Sequence, residues 1–221
     1  MRVDGRVVTE MGVSVDPLAA KVTVDGRPVL APGGRRYLLL NKPRGVLCTL
    51  ADPEGRRTVR DLIPVEAGRV YPVGRLDWDA EGVLLLTDDG DLAHRLMHPR
   101  FGVERTYHAK LKGEVGEEVL ARLARGVYLE DGRARIEGVS FLRRARENTW
   151  VALTLREGRH HEVKRIGLAV GHPVQRLRRV SYAGIGLGRL EPGQARPLTP
   201  AEIVGLRRAV GLAAGGAEPR G

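Results

Sequence analysis

The sequence predicts an α+β fold carried by a central mixed, mainly antiparallel sheet flanked by helices and loops. Three observations lead there. Strand-like apolar runs outnumber helical patterns, no regular strand–helix–strand alternation runs along the chain, and no repeat recurs at a solenoid period. Of 221 residues 42% are hydrophobic and 29% charged, a globular balance, while only 4% are aromatic, so the core must rest on Leu, Val, Ile and Ala. That length suits one ordinary domain with a small appendage.

The elements follow in order. Arg6–Thr9 and Lys21–Val24 are short alternating runs, and the second meets Asp25-Gly26, a hairpin signal, before Arg27-Pro28-Val29. Ala31-Pro32-Gly33-Gly34 marks a boundary. Tyr37–Leu40 reads as a buried strand stopped by a loop over Asn41–Gly45, and Val70–Val73 as a second short strand. Gly82–Thr87 is an interior strand, after which Asp91 is placed to cap a helix that runs through Met97 and ends at His98-Pro99. Thr106–Lys112 alternates, with Tyr107, Ala109 and Leu111 on one face. Glu117–Arg125 is a helix closed by Gly126. Strands follow near Ala134–Val139 and Thr149–Arg156, then a helix from about His161 to Val170 with Val163, Ile166 and Val170 as its buried stripe. Val174–Tyr182 is the last long strand, and Pro200 opens a helix toward Ala209. The domains expected are residues 1–31, residues 32–210 and a disordered tail over residues 211–221.

Composition narrows the classes of function. The 37 Lys and Arg exceed the 27 Asp and Glu by 10, which favours a polyanionic partner, nucleic acid ahead of an acidic membrane. Apolar runs such as Val83–Leu86 fall far short of a membrane span, and Met1–Arg6 lacks the apolar segment of a secretory signal. Cys48 is alone, so neither an intramolecular disulfide nor a cysteine metal cluster can form, and a reducing cytoplasm fits. A metal is not expected: His160 and His161 are neighbours that cannot share a helical face, and His94 and His98 lack a third ligand. Phosphate-loop, dinucleotide and nucleophile-elbow signatures are missing. Oligomeric state is not encoded legibly; a monomer is the default.

Taken singly, the candidate residues leave two readings open. Asp77 lies in a loop between strands, either as a functional carboxylate or as the start of a turn with Trp78 and Asp79. From Arg159, seven positions hold Arg159, His160, His161, Lys164 and Arg165, with Lys164 at the margin of the buried stripe, where it could reach an interior carboxylate. Arg176, Arg178 and Arg179 extend this basic region on the next strand, and Arg143, Arg144 and Arg146 form a second cluster. RNA phosphates or plain solvent could be the counterpart.

Taken together, several stretches resemble bacterial rRNA pseudouridine synthases, in the branch with a small N-terminal RNA-binding module shared with a ribosomal protein. They are Leu40–Gly45, Gly74-Arg75-Leu76-Asp77 followed by Gly82–Ala93, Glu104–Tyr107, and Glu157-Gly158-Arg159 through Lys164-Arg165. Leu96–Pro99 and Gly126–Gly132 look most like the large-subunit branch. The resemblance covers about Arg36 to Arg208 and implies a pseudouridine synthase fold. It also implies isomerisation of a uridine in rRNA, most simply large-subunit rRNA, with no cofactor.

By the same resemblance, Asp77 is the essential carboxylate, attacking the ribose anomeric carbon or removing a ribose proton. Tyr107 packs against the base and takes part in the proton removal at carbon-5, and Lys164 pairs with the aspartate. Arg75 helps flip the uridine, and stacking on Tyr107 offsets part of the unstacking cost. Lys42, Arg44, Arg105, Arg159, Arg165, Arg176 and Arg178 are expected to meet RNA. The family carries Thr where Ala80 stands, and Arg2–Val29 matches only the hairpin-like second half of the N-terminal module.

Overall fold

Two units make up the chain, Met1–Arg35 and Arg36–Gly221. The structure, a computed structural model, describes residues 2–3, 5–9, 22–24, 27–29 and 35–213. In the first unit β1 (Arg2–Val3), β2 (Arg6–Val7), β3 (Val22–Val24) and β4 (Arg27–Val29) form an antiparallel sheet in the order β2-β1-β3-β4. Val24 pairs with Arg27, the register a tight hairpin requires. Asp25-Gly26 and the expected boundary at 31–34 lie outside the described residues.

The second unit begins with β5 (Tyr37–Lys42), β6 (Tyr71–Pro72), β7 (Ala80–Thr87), α1 (Gly90–Met97) and β8 (Arg105–Lys112). It continues with α2 (Glu117–Ala124), β9 (Val127–Leu129), β10 (Gly132–Ala134), β11 (Gly138–Ala145), β12 (Asn148–Leu155) and α3 (Glu162–Ala169). β13 (Val174–Tyr182), β14 (Ile185–Gly186), β15 (Ala195–Pro197) and α4 (Pro200–Ala209) complete it. Nine of these strands share one sheet with the path β11-β12-β8-β13-β7-β5-β15, β6 lying beside β7 and β14 beside β13. The β13–β7 pair is parallel and the other pairs are antiparallel, so the sheet is mixed.

The apolar pattern explains where each strand sits. β5 and β7 are apolar on both faces because both are covered. Leu38, Leu40, Leu84 and Leu86 pack with Val59, Ile63 and Val70, while Leu39, Val83 and Leu85 pack with Leu92 and Leu96 of α1 and Leu206 of α4. β12 instead alternates: Val151, Leu153 and Leu155 are buried with Leu123 of α2 and Val163 and Ile166 of α3, and the residues between them are only half-buried. Where β7 meets β13, Gly82 has φ +112°, and a Cβ there would stand 2.1 Å from the Arg179 carbonyl oxygen. Only glycine permits that approach, which draws the start of β7 against β13.

Several boundaries differ from the sequence expectation. Asn41 and Lys42 continue β5 rather than joining the loop, because both are buried in the sheet. Asp89, not Asp91, caps α1: its carboxylate accepts from the Leu92 N–H at 3.2 Å, whereas Asp91 pairs with Arg95 on the helix surface. The run Ala134–Val139 is split between β10 and β11, since the Arg135 N–H leaves the ladder to donate to Glu157 Oε1 at 2.8 Å. The β9–β10 hairpin was not expected from the sequence. At the C-terminus, Leu212 packs against the α4 cluster, so order persists past residue 211; residues 214–221 lie outside the described residues.

Candidate active site

The loop between β6 and β7 carries Arg75, Asp77 and Asp79 and is held from beneath. Lys42, at the end of β5, is fully buried, and its ammonium donates to the carbonyl oxygens of Pro43 (3.1 Å), Asp77 (3.0 Å) and Ala80 (2.8 Å). Burial pulls its pKa below the usual lysine value, against the raising effect of Cys48, Asp77 and Asp79 nearby. Leu76 N–H donates to Cys48 Sγ at 3.4 Å, and Gly45 N–H to the Trp78 carbonyl at 2.8 Å. The backbone around Asp77 is thus bonded on both sides.

The Asp77 carboxylate faces α3. Lys164 Nζ lies 2.9 Å from Oδ2, and His161 Nε2 lies 3.3 Å from Oδ1. The same ammonium is 2.6 Å from Asp79 Oδ1. Burial alone would lower the Lys164 pKa, but hydrogen bonds to Asp79 and Asp77 outweigh it and hold the pKa above the ordinary value. For Asp79, partial burial pushes up and the Lys164 bond and charge pull down harder, so the carboxyl sits below its usual range. His161 adopts a left-handed backbone (φ +50°), uncommon outside glycine, and its ring stacks on His160 at 3.7 Å between centroids.

Asp77 and Tyr107 line a pocket of about 470 Å³ with Arg75, Met97, His161 and Tyr182. A smaller recess lined by Asp77, Tyr107, Glu162, Lys164 and Leu177 adjoins it. The 30 residues between Asp77 and Tyr107 are spanned by the sheet, where β8 pairs with β13 and β13 with the start of β7, and Lys164 comes from α3, whose Val163 and Ile166 pack against the same sheet.

The expected RNA contacts divide. Lys42 is withdrawn from that set, because its buried ammonium is committed to three carbonyls. Arg105 is buried as well. It donates to the Leu96 carbonyl (3.0 Å), the Glu157 carbonyl (3.3 Å) and Tyr182 Oη (3.2 Å), a brace between elements. Arg159 and Arg165 both bind Asp131, whose carboxyl is held down at about 2, first by Arg165 and, against slight burial, by Arg159. Arg44 is exposed and donates to the Asp79 carbonyl, Arg75 is exposed at the pocket, and Arg176 is exposed 3.5 Å from Glu81. Arg178 is half-buried on β13.

Three roles escaped the sequence reading, which took Asp79 as a turn residue and Arg179 as part of an exposed basic region. Asp79 competes for Lys164. Glu162, at the first turn of α3, is buried with no hydrogen-bond partner for Oε1 among the described residues, Arg159 Nε standing 4.0 Å away; burial and then the charge of Glu157 push its carboxyl up to about 7. Arg179 is buried on β13, its Nε donating to the Val83 carbonyl at 2.7 Å, with no acceptor for Nη2 among the described residues. The Glu157–Glu162 spacing of five was the only advance sign of the second group.

Comparison with known proteins gives the family. Residues 36–168 match the RNA pseudouridylate synthase family. An Aquifex aeolicus (strain VF5) protein named as an uncharacterized RNA pseudouridine synthase is 44% identical over 213 residues, covering 96% of this chain and 85% of its own. The ribosomal large subunit pseudouridine synthase B of Bacillus subtilis (strain 168) is 41% identical over 209 residues, 94% of this chain and 85% of its own. A crystal structure of a pseudouridylate synthase superposes with a TM-score of 0.70 at 32% identity, over 93% of this chain and 87% of that one. The chain belongs to the RNA pseudouridylate synthase family.

Proposed function

We propose that this enzyme converts a specific uridine of large-subunit rRNA to pseudouridine, with Asp77 as the reacting carboxylate. The observation that carries the reading is the Asp77 carboxylate, held by Lys164 at 2.9 Å and His161 at 3.3 Å where it lines a nucleotide-sized pocket with Tyr107. These two contacts hold the carboxylate in one orientation, as a nucleophile or base needs. Tyr107 offers a ring against the extruded base, and Arg75, exposed at the rim, is placed to fill the vacancy the base leaves. The relatives named for the large ribosomal subunit, at 41% identity, support that substrate. The reaction is an internal exchange of a carbon–nitrogen for a carbon–carbon glycosidic bond and calls for no cofactor. A cytoplasmic monomer is the simplest setting; among the described residues no helix is long and apolar enough to cross a membrane.

The test uses unmodified rRNA carrying tritium at uracil carbon-5. Wild type should release tritium, and Asp77→Asn should lower release by a factor on the order of 10³ or more, as removal of a reacting group does. Absence of release by wild type, or undiminished release by the variant, would overturn the reading. Mapping pseudouridine in both rRNAs after reaction separates large-subunit from small-subunit targets.

A further inference from the structure

The sheet has a second working face. Along β8, Tyr107, Ala109 and Leu111 point toward the pocket and the helices, and the alternate residues His108 and Lys110 point the other way. The register extends that other face across four strands: Lys110 pairs with Trp150 on β12 and Arg176 on β13, Trp150 pairs with Arg143 on β11, and His108 pairs with Arg178. These six side chains are half-buried or exposed. A cavity of about 290 Å³ opens among five of them, with Leu142 and Glu81 on its walls.

The chemistry of this face is specific. Arg143 lies over the Trp150 ring at 5.7 Å. Four cations, Arg143, Lys110, Arg176 and Arg178, share the face with a single carboxylate at the cavity, Glu81, which stands 3.5 Å from Arg176. His108 has its pKa lowered by burial and by the Arg178 charge, so its ring is available for stacking rather than adding another full charge. A protein partner would call for a broader apolar patch; here Leu142 is 39% exposed and the rest of the cavity lining, Glu81 apart, is aromatic or cationic. Interleaved aromatic rings and guanidinium groups match the alternating bases and phosphates of an unpaired RNA strand.

We propose that this face is a second RNA-binding surface, which takes an unpaired nucleotide of the substrate RNA between Trp150 and His108 and its flanking phosphates on Arg143, Arg176 and Arg178. The proposal rests on the RNA-modifying reading above. It adds that the substrate passes round the sheet, since β8 presents Tyr107 to one side and His108 to the other. Recognition then depends on RNA beyond the loop that holds the target uridine.

Two measurements test it on the full chain. Trp78 and Trp150 are the only tryptophans, so Trp78→Phe leaves Trp150 as sole reporter, and saturable quenching of its fluorescence by oligouridylate is expected. In anisotropy titrations, Trp150→Ala should weaken binding of a long rRNA fragment on the order of tenfold. It should also shrink that fragment's advantage over a hairpin of the target loop alone. Arg143→Gln with Arg178→Gln should make the slope of log affinity against log salt shallower by about 1.5. Trp150→Leu serves if the alanine variant melts early. No quenching with equal affinities for long and short RNA would overturn the proposal. So would a defect seen only with protein-containing ribosomal particles, which would make the partner a protein. Quenching of Trp150 in the Trp78→Phe chain with no tritium release by wild type would instead leave this surface standing and remove the catalytic reading.

Discussion

One ammonium, one carboxylate and one loop define the chemistry at the scale of single residues. Lys164 is shared between Asp77 and Asp79, so its charge is spread over two acceptors rather than locked on one. Lys42 does a different job: it has no carboxylate partner at hydrogen-bond distance among the described residues, and its three bonds tie the Pro43 carbonyl to those of Asp77 and Ala80. A buried ammonium is costly to desolvate and is retained where its bonds define a geometry. Lys42→Met should therefore lower kcat by about tenfold or more while KM changes little. Leaving the Asp77 and Ala80 carbonyls short of a donor should also cost on the order of 2 kcal/mol of stability. Single-turnover tritium release and thermal melting check the two parts. A KM effect with kcat intact would mean that Lys42 serves binding after all.

At the scale of elements, α3 shows how a helix start can be tuned. Glu162 accepts from the Arg159 N–H at 3.2 Å, as a capping acid does, yet it is buried beside Glu157 and its carboxyl is raised to about 7. Between its ordinary 4.5 and about 7 the folded chain holds a proton on Glu162 that the unfolded chain has lost, so this group's contribution to stability falls as pH rises through that window. Glu162→Gln keeps the acceptor and stays neutral. Its melting temperature should gain on wild type from about pH 5 to about pH 8 and level off beyond. A difference that is flat with pH would sink the idea.

The same scale shows what the sequence made legible. β13 and α4 fall where alternation and Pro200 place them, because each has a complete local signal. Tyr107, Asp77 and Lys164 are legible through ordered motifs, and a strand, a loop and a helix bring all three to the lining of one recess. The roles of Lys42, Asp79 and Glu162 were not legible. Whether a charged residue faces a carbonyl, a rival carboxylate or water depends on strands far apart in the chain. The strand signal over Ala134–Val139 misled for a like reason, since a distant Glu157 takes the Arg135 N–H.

For the whole molecule, the net charge of +10 overstates the charge available to RNA. Many cations are already compensated: Arg196 meets Glu202 through two bonds of 2.8 and 2.7 Å, and Arg196 holds that carboxyl down at about 2. A compensated cation holds few counter-anions in the free protein and neutralises no phosphate, so it should not enter the salt dependence of binding. Arg196→Gln lowers the net charge by one, as Arg75→Gln does, yet should leave the slope of log affinity against log salt unchanged to within about 0.3, although it loses the bidentate bridge to Glu202. Arg75 is exposed beside the pocket, and Arg75→Gln should make the slope shallower by about 0.7 to 0.9, one phosphate contact. Titrations of one rRNA fragment over a range of salt distinguish these cases. Equal slope changes for the two substitutions would mean that RNA responds to the bulk charge of the chain. Unequal ones would mean that it responds to the few arginines the fold leaves uncompensated, such as Arg75 at the pocket.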